Sequence, residues 1–264
     1  MITSKFLAVI LFHNDEEIVN EQIKHMIANK HDIIIFNHNS NDHTQTLIES
    51  AQEKHTEIKK IYVLDENISF SSGEVFKYIS DVLIADYKND YEWISFIESD
   101  EFLEGPTRDK SYYDCLLYVS KTDYTYVEFN NMLFWFTDND NQEIKNVRER
   151  VKYYSWFYNC GPRIYAWKAE YTNDRKWNHN CPSVARKFPI NFNTCHYPFT
   201  SKSKYIEKLE TRKKATNGET NYHYVKLHDN REKILGLKMH EHLHYDDGSD
   251  LKLTKHYNWK KDIY

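Results

Sequence analysis

Continuous apolar runs alternate with amphipathic segments over roughly the first hundred residues. Four apolar runs of strand length recur along this stretch: residues 5–12, Ile33–Phe36, Ile58–Leu64 and Trp93–Ile97. Between these runs, apolar side chains recur at helical spacing over Glu16–Asn29, Thr44–Lys54 and Glu74–Asp86. Short continuous apolar runs separated by amphipathic helices are typical of strands that are buried on both faces. The pattern therefore predicts an α/β fold with a Rossmann-like, mostly parallel central sheet flanked by helices.

The apolar signals become shorter and more aromatic after Tyr112. Three further strands are predicted there, over Tyr124–Phe129, Leu133–Phe136 and Arg163–Trp167. A basic helix is predicted over Lys202–Ala215. No internal repeat and no long linker interrupts the sequence. We therefore predict one domain over residues 1–264, with a first half at 1–110, a smaller part at 111–200 and a C-terminal helical segment at 201–264.

Composition and charge narrow the class of protein. The 264 residues suffice for one α/β domain with a sizeable core. The formal net charge of −5 argues against a broad nucleic-acid footprint. The apolar run at Phe6–Phe12 is too short for a membrane span and lacks the basic start of a secretory signal, so we expect a cytoplasmic protein. No CxxC pair occurs among the four cysteines, which predicts reduced thiols at Cys115, Cys160, Cys181 and Cys195.

Three carboxylates follow the apolar run at Trp93–Ile97. They are Glu98, Asp100 and Glu101, and they fall within four residues. Carboxylates in a half-buried cleft repel one another and lose hydration unless a cation compensates them. Glu98 and Asp100 are two residues apart, so they point to the same side of an extended segment. This spacing suits a hard divalent metal that also binds substrate phosphates, and an acidic turn or helix cap is the alternative explanation.

A polar loop, Asn37–Thr44, separates the apolar run at Ile33–Phe36 from the helix that follows. A strand, a polar loop and a helix in this order form the geometry of a nucleotide site at the carboxyl ends of parallel strands. A turn rich in Asn, Ser and Asp that ends in a helix cap would have the same composition. The loop alone therefore leaves a nucleotide site and a structural turn as alternatives.

Four motifs occur in a fixed order over about residues 5–210. The apolar opening is followed by H-N-D-E at residues 13–16, and the polar loop reads N-H-N-S-N-D-H-T at residues 37–44. The acidic motif reads E-S-D-E-F-L at residues 98–103, and C-H-Y-P-F-T-S at residues 195–201 precedes Lys208. Together these motifs resemble the family 2 glycosyltransferases of the GT-A fold, above all a bacterial subset with a D-A-D-E-F-L metal motif. The sequence departs from that subset where Asn37 and Glu98 each replace an Asp and His43 replaces a Gly.

The resemblance implies an enzyme that moves a sugar from a nucleotide-diphosphate donor, such as a UDP-sugar, to an acceptor hydroxyl. It implies a divalent metal, Mn²⁺ or Mg²⁺, bound by Glu98, Asp100 and His196. The residues that it implies for nucleotide-sugar binding are His13, Asn14, Asn37, Asn39, Ser40, Asp42 and Lys208. It implies inversion at the anomeric carbon, with catalysis by Asp100 and Glu101. Further candidates for the general base are Glu170 and Asp174.

The resemblance also implies a cellular setting. Residues 1–110 would bind the nucleotide sugar, and residues 111–200 would bind a saccharide or lipid-linked acceptor. The family's usual setting is the assembly of bacterial surface polysaccharide or lipooligosaccharide, which implies peripheral contact with the inner face of the membrane. Lys208 and Arg212 lie one helical turn apart, so they could neutralise a leaving diphosphate or form a solvated basic face. The sequence indicates no oligomeric state.

Two other classes of protein stay open. His240, His242 and His244 would share one face of a strand, and they resemble the H-x-H-x-D-H zinc motif of metallo-β-lactamase-type hydrolases. Tyr245 stands where that motif has its last histidine. The other alternative is a non-catalytic carbohydrate-binding protein with a degenerate transferase fold, which the two replacements of Asp described above suggest.

Overall fold

The computed structural model describes residues 5–64, 72–156, 162–174, 185–214, 235, 238–241 and 243–253. The chain forms two compact units. The first unit comprises Met1–Asn131 and Asn159–Cys195, and the second comprises Met132–Tyr158 and His196–Tyr264. Several residues named above lie outside the described part of the chain, namely Cys160, Cys181, Ala215 and His242, together with the side chains of Asp174 and Arg212.

The described residues form ten strands and six α-helices. The strands are β1 Phe6–Phe12, β2 Asp32–His38, β3 Ile58–Leu64, β4 Trp93–Glu98, β5 Glu101–Glu104, β6 Tyr126–Trp135, β7 Tyr153–Trp156, β8 Arg163–Lys168, β9 Phe192–Phe199 and β10 His244–Tyr245. The helices are α1 Val19–Ala28, α2 Thr44–Lys54, α3 Ser72–Val82, α4 Tyr112–Ser120, α5 Val147–Arg150 and α6 Lys202–Lys214. A π-helical turn at Leu83–Tyr87 continues α3, and 3-10 turns lie at Ala169–Asp174 and Met239–Glu241.

The sheet of the first unit has the strand order β8-β4-β1-β2-β3. β1 pairs in parallel with both of its neighbours, so that Ile10 lies between Ile35 and Ile97. β3 pairs in parallel with β2, past a register shift between Ile33 and Ile34. β8 runs antiparallel to β4, and the first residues of β6 pair antiparallel with β8. The predicted parallel sheet flanked by helices is therefore confirmed, and antiparallel strands extend it beyond β4.

Helices cover both faces of this sheet. On one face, α1, α2 and α4 pack against alternate residues of β1, among them Ala8 and Ile10. On the other face, α3 packs against Leu7 and Val9. All seven residues of β1 are buried for this reason. Burial of one large apolar side chain contributes roughly 1.5–3 kcal/mol, which explains why β1 is continuously apolar and does not alternate.

The second unit has a separate, smaller core. Residues 132–135 of β6 pair antiparallel with β7, which pairs antiparallel with β10. α6 is the basic helix predicted from Lys202, and it buries Tyr205 and Leu209 against apolar residues of β6 and β9. Its charged residues lie on the other positions of the helix, as expected for a helix that covers a core with one face.

β6 differs from the sequence expectation. The two strands predicted at Tyr124–Phe129 and Leu133–Phe136 are one continuous strand. The polar pair between them, Asn130 and Asn131, is buried within the strand. Asn130 donates from Nδ2 to the Oδ1 of Asn193 in β9 at 3.3 Å, so a neighbouring polar side chain replaces solvent at Asn130, whereas the side-chain amide of Asn131 is buried without a hydrogen-bond partner in the described part of the chain.

α4 is a helix that the sequence pattern did not predict. It begins after Ser111, whose Oγ accepts a hydrogen bond from the N–H of Asp114 at 3.0 Å. Aromatic and apolar residues on several sides of this helix, such as Tyr113 and Leu117 beside the buried Tyr112 and Leu116, conceal its helical period. α1 also begins later than predicted, at Val19, because residues 13–18 form a loop. No helix in the described ranges has the length and apolar character that a membrane crossing requires.

Candidate functional site

The strand order of the first unit creates a switch point at β1. The chain passes from β1 to β2 and β3 on one side, and it then returns to place β4 on the other side of β1. In open α/β sheets, ligands bind outside the carboxyl ends of the strands at such a point. At this edge, residues 13–16 follow β1, residues 39–44 follow β2 and residues 99–100 follow β4. The fold thus brings three of the four sequence motifs to one edge of the sheet.

The loops after β1 and β2 are hydrogen-bonded to each other. The N–H of Asn14 donates to Ser40 Oγ at 3.0 Å, and Asn14 Oδ1 accepts from the N–H of Asn41 at 2.8 Å. The N–H of Asp15 donates to Thr44 Oγ1 at 2.9 Å. Asn14 has a φ of 56°, a left-handed conformation that asparagine adopts more readily than most residues. These contacts give the paired loops a defined shape in the protein alone.

Asn37 and Asp42 shape the second loop from within. Asn37 is only 2% exposed. Its Nδ2 donates to Gln45 Oε1 at 2.6 Å, and its Oδ1 accepts from Ser40 Oγ at 2.6 Å. Asp42 Oδ1 accepts from the N–H of Thr44 at 2.9 Å, at the start of α2. Both side chains therefore position the loop, and Asn37 is directed inward.

Histidines lie at the ends of both loops. His13 Nδ1 lies 2.6 Å from the carbonyl oxygen of His38, and the two rings are 5.5 Å apart. Glu16 Oε2 accepts from the N–H of His43 at 3.1 Å and lies 2.7 Å from its Nδ1. The hydrogen bonds from His43 lower the pKa of Glu16. An ionised Glu16 thereby ties the first loop to the start of α2.

The acidic motif forms a tight turn between β4 and β5. Glu98 is the last residue of β4, and Ser99 and Asp100 form the turn, so Glu98 and Asp100 do not share one extended segment as the sequence predicted. Ser99 Oγ donates to Asp15 Oδ2 at 2.5 Å, and the N–H of Ser99 donates to the carbonyl of Leu11 at 3.0 Å. Asp100 is 6% exposed. The turn is therefore held directly to the end of β1.

Glu101 lies in different surroundings from Asp100. It is 1% exposed, and its Oε1 accepts from the hydroxyl of Tyr165 at 2.6 Å and from Arg163 Nη1 at 3.3 Å. Its Oε2 accepts from the N–H of Glu98 at 3.3 Å. Burial, and next the charge of Glu101, raise the pKa of the Tyr165 hydroxyl, so this hydroxyl stays a donor. Burial lowers the pKa of Arg163, but Tyr165 and Glu101 raise it by more, and the guanidinium stays charged.

The carboxylates at this edge are possible ligands of a divalent metal ion. Within the described ranges, no group of three or more His, Cys, Asp or Glu side chains is placed to hold a metal ion. Glu98 and Asp100 supply two carboxylates at the carboxyl end of β4, one half-buried and one buried. Mg²⁺-type ions that carry substrate phosphates are commonly bound by only one or two carboxylates, with phosphate oxygens and water completing the shell. The residues present fit a metal of this shared kind and do not form a complete protein cage.

The second unit contains two of the predicted site residues. His196 is a half-buried residue of β9, and Lys208 is a half-buried residue of α6. Their parts in a site with the first-unit residues stay predictions. Of the two further general-base candidates, Glu170 follows β8, whose end pairs with the start of β4 through Lys168 and Trp93. Glu170 therefore lies at the edge opposite Asp100, roughly 16 Å away along β4 by strand rise.

The histidine-rich segment does not form one strand in the part of the chain that the structure describes. His240 lies in the 3-10 turn and packs against Tyr153, with ring centroids 6.2 Å apart. His244 lies in β10 and packs against Tyr154 at 5.5 Å. The two rings contact different aromatic residues, so the shared face that the zinc alternative requires is not formed by this pair.

Three residues of the site edge were missed by sequence reasoning. Asp15 follows Asn14 in the opening motif, and this position was the available signal. Arg163 and Tyr165 belong to a predicted strand, and a charged residue at the start of an apolar strand is a weak indication of a site. Only the antiparallel pairing of β8 with β4 brings them to Glu101.

Known proteins resemble this chain in structure but not in sequence. No protein-family model matches the sequence, and no curated protein matches it. A mannosyltransferase, PcManGT from Pyrobaculum calidifontis in complex with GDP-Man and Mn²⁺, is similar in structure with a TM-score of 0.45 and 8% identity. The match covers 90% of this chain and 66% of that protein.

A second solved structure, GalNAc-T7 with UDP, GalNAc and Mn²⁺, has a TM-score of 0.45 and 10% identity. It is matched over 87% of this chain and 55% of its own length. The chain thus spans less than two thirds of both proteins. Both TM-scores lie below 0.5, so neither likeness carries an inference about this chain.

Proposed function

We propose that this chain is a metal-dependent glycosyltransferase of the GT-A type, which moves a sugar from a nucleotide-diphosphate donor to an acceptor hydroxyl. One observation carries the proposal. The acidic turn with Glu98 and Asp100 is hydrogen-bonded, through Ser99 and Asp15, to the same strand end whose loop pairs with Asn37–Thr44. A nucleotide lying over the paired loops would therefore extend its phosphates towards two carboxylates that suit a divalent cation.

The residues of the first unit divide the work as follows. The loops at His13–Asn14 and at Asn39–Asp42 bind the nucleoside, and their mutual hydrogen bonds keep them in shape before it arrives. Asp100, assisted by Glu98, holds Mn²⁺ or Mg²⁺ with the diphosphate. When bound there, the cation supplies positive charge against the negative charge that develops on the leaving diphosphate. Asn37 acts through the loop and not by direct contact, because its amide is buried and hydrogen-bonded within it.

The general base of an inverting reaction must accept a proton from the acceptor hydroxyl. Among the three candidates Glu101, Glu170 and Asp174, only Glu101 has the support of the motif resemblance. Its carboxylate already accepts three hydrogen bonds and is almost fully buried. We therefore propose that Glu101 supports the reaction by holding the acidic turn and Arg163.

The finer parts of the proposal concern substrates and setting. We propose a UDP-sugar as donor and a saccharide or lipid-linked molecule as acceptor, in the assembly of a bacterial surface polysaccharide or lipooligosaccharide. Residues 111–200 would then contribute to acceptor binding, and His196 and Lys208 would contact the metal and the diphosphate. The enzyme would work in the cytoplasm, in peripheral contact with the membrane. The motif resemblance supports the donor class, the acceptor and the roles of these residues.

A screen of nucleotide sugars tests the proposal. The purified protein is incubated with UDP-, GDP-, CMP- and dTDP-sugars, with Mn²⁺ or with a chelator, and both thermal stabilisation and release of the nucleotide are measured. We expect one donor to stabilise the protein and to be hydrolysed slowly only when Mn²⁺ is present. If no nucleotide sugar binds under either condition, the proposal is wrong.

A further inference from the structure

Arg163 lies at the carboxyl edge of the sheet, although it begins its own strand. β8 runs antiparallel to β4, with Lys168 opposite Trp93 and Ala166 opposite Ser95. The pairing ends there, and Arg163, three residues before Ala166, reaches the residue that begins β5, with its Nη1 3.3 Å from Glu101 Oε1. On its other side, Arg163 pairs with Phe129 of β6. The side chain therefore starts from the strand end at which the acidic turn lies.

An anionic ligand can bind beside the acidic residues of this edge only if a positive charge lies close to them. Four acidic residues, Asp15, Glu98, Asp100 and Glu101, lie at or next to this strand end. The Arg163 guanidinium compensates Glu101, with Nη1 3.3 Å from Oε1. An anionic ligand that approached these carboxylates with no fixed positive charge nearby would be repelled by them. Arg163 is the permanent charge, since a guanidinium is not deprotonated in proteins.

The Arg163 side chain pairs with a buried carboxylate and is also partly exposed to solvent. Its side chain is 25% exposed, whereas that of Glu101 is 1% exposed. A guanidinium carries five N–H donors in a rigid fork. Glu101 and the Tyr165 hydroxyl fix the inner end of that fork, because Tyr165 is buried and its hydroxyl donates to the same carboxylate oxygen. A charged side chain held in this way loses little further freedom when it binds a second anion.

We propose that Arg163 binds the phosphates of a nucleoside diphosphate, and that Glu101 and Tyr165 are positioning residues that hold its guanidinium at the site edge. The inference rests on the proposed function, since it concerns the donor of that same site. It also gives the buried pair a role, because pairing alone would leave two desolvated charges that contribute little to stability. The alternative is that Arg163 serves only as the counterion of Glu101.

Binding of a phosphate series tests this proposal without relying on turnover. Dissociation constants for uridine, UMP and UDP, and for the guanosine series, are measured by calorimetry in the presence of Mn²⁺. The variants are Arg163→Lys, which keeps the charge but not the fork, and the double change Glu101→Gln with Arg163→Met, which removes both charges together. The double change leaves no unpaired buried charge, so it guards against loss of folding. Arg186→Gln is the matched control, because Arg186 is 62% exposed and pairs with Asp123.

We expect the double variant to bind the nucleoside diphosphate about tenfold more weakly or worse, and Arg163→Lys to lose less. The affinity for the nucleoside should change little in both variants, and Arg186→Gln should match the unaltered protein throughout. If folded Arg163 variants keep the full preference for diphosphate over nucleoside, Arg163 is only a counterion and the inference is wrong. If the unaltered protein binds none of these nucleotides and no nucleotide sugar of the screen described above, the proposed function itself fails.

Discussion

Asp100 and Glu101 are adjacent in the sequence, yet their side chains have different surroundings. Glu101 is buried among Tyr165, Arg163 and the N–H of Glu98, whereas Asp100 lies in the turn that Ser99 and Asp15 hold to β1. The sequence motif marks both carboxylates as candidates but cannot separate their roles. That separation depends on β8, which comes more than fifty residues later in the chain.

Removal of the Tyr165 hydroxyl tests whether the buried hydrogen bonds of Glu101 stabilise the fold. Tyr165→Phe removes a donor from Glu101 while keeping the ring that packs against Phe129 at 5.3 Å. We expect the free energy of unfolding to fall by about 1–3 kcal/mol, because a buried carboxylate loses a hydrogen bond. Urea unfolding measures the change. Tyr118→Phe is the control, since Tyr118 is 65% exposed, and an equal effect of both changes would contradict the account.

At the scale of elements, the strands and helices up to β4 were predicted well because apolar runs and helical periods dominate their sequences. Later elements were predicted less well for physical reasons. β5 has only four residues and begins and ends with Glu, so its apolar signal is short. The capping pattern of Ser111 and Asp114 was the available signal for α4. At the site, the loop and the acidic turn were predicted, but the cross-strand partners of Glu101 were not.

A buried histidine, His31, immediately precedes β2 and bears on stability in acid. His31 is fully buried, and its ring stacks on that of Tyr112 with centroids 5.4 Å apart. Burial lowers its pKa to about 4, from an ordinary value of 6.5. Between these two values the unfolded chain binds a proton that the folded protein does not. The contribution of the neutral, buried His31 to the free energy of unfolding is therefore complete above about pH 6.5, and it is lost as the pH falls towards 4.

We expect the free energy of unfolding to fall over this pH window, with His31 contributing as much as about 3 kcal/mol of the change. His31→Phe, which keeps an aromatic ring beside Tyr112, should flatten this dependence. Urea unfolding at a series of pH values measures it, with His55→Gln as the control for a half-buried histidine at the end of α2. An unchanged slope in His31→Phe would show that other groups govern acid sensitivity.

The paired loops are the element on which nucleotide binding depends. Ser40 Oγ accepts from the N–H of Asn14 and donates to Asn37, so Ser40→Ala removes both links. We expect nucleoside affinity to fall roughly tenfold with a modest loss of stability, because the loops then lose their defined shape. Calorimetry with the donor nucleotide measures this. Ser50→Ala is the control, since Ser50 lies on α2 and contacts only Lys54 through its hydroxyl in the described contacts; a similar loss there would argue against the loop site.

At the scale of the whole molecule, the described residues include no group of three or more His, Cys, Asp or Glu side chains that is placed to hold a metal ion. The division at residues 110 and 200 stays a prediction, and β6 and β9 each contribute residues to both compact units. The roles of residues 111–200, His196 and Lys208 therefore stay predictions. A change of composition along the chain cannot reveal that two units share the strands β6 and β9.

The metal content after purification tests how tightly the protein alone holds a metal ion. A site that shares its metal with substrate phosphates should release Mg²⁺ or Mn²⁺ readily when no nucleotide is bound, whereas a three-histidine zinc site should retain its metal. We therefore expect much less than one equivalent of zinc per chain by elemental analysis. We also expect the triple change of His240, His242 and His244 to Ala to leave nucleotide binding unaltered. Stoichiometric zinc that disappears in the triple variant would favour the hydrolase alternative.

The most direct test of the central claim is Mn²⁺-stimulated donor hydrolysis in Asp100→Asn. The change keeps the size of a side chain that is 6% exposed but removes its charge, so we expect a folded protein that has lost about 100-fold or more of its turnover. Glu98→Gln should lose less, and Asp90→Asn, at an exposed turn before β4, should keep full activity. Full activity of Asp100→Asn, or equal turnover in Mn²⁺ and in a chelator, would contradict a metal-dependent transferase.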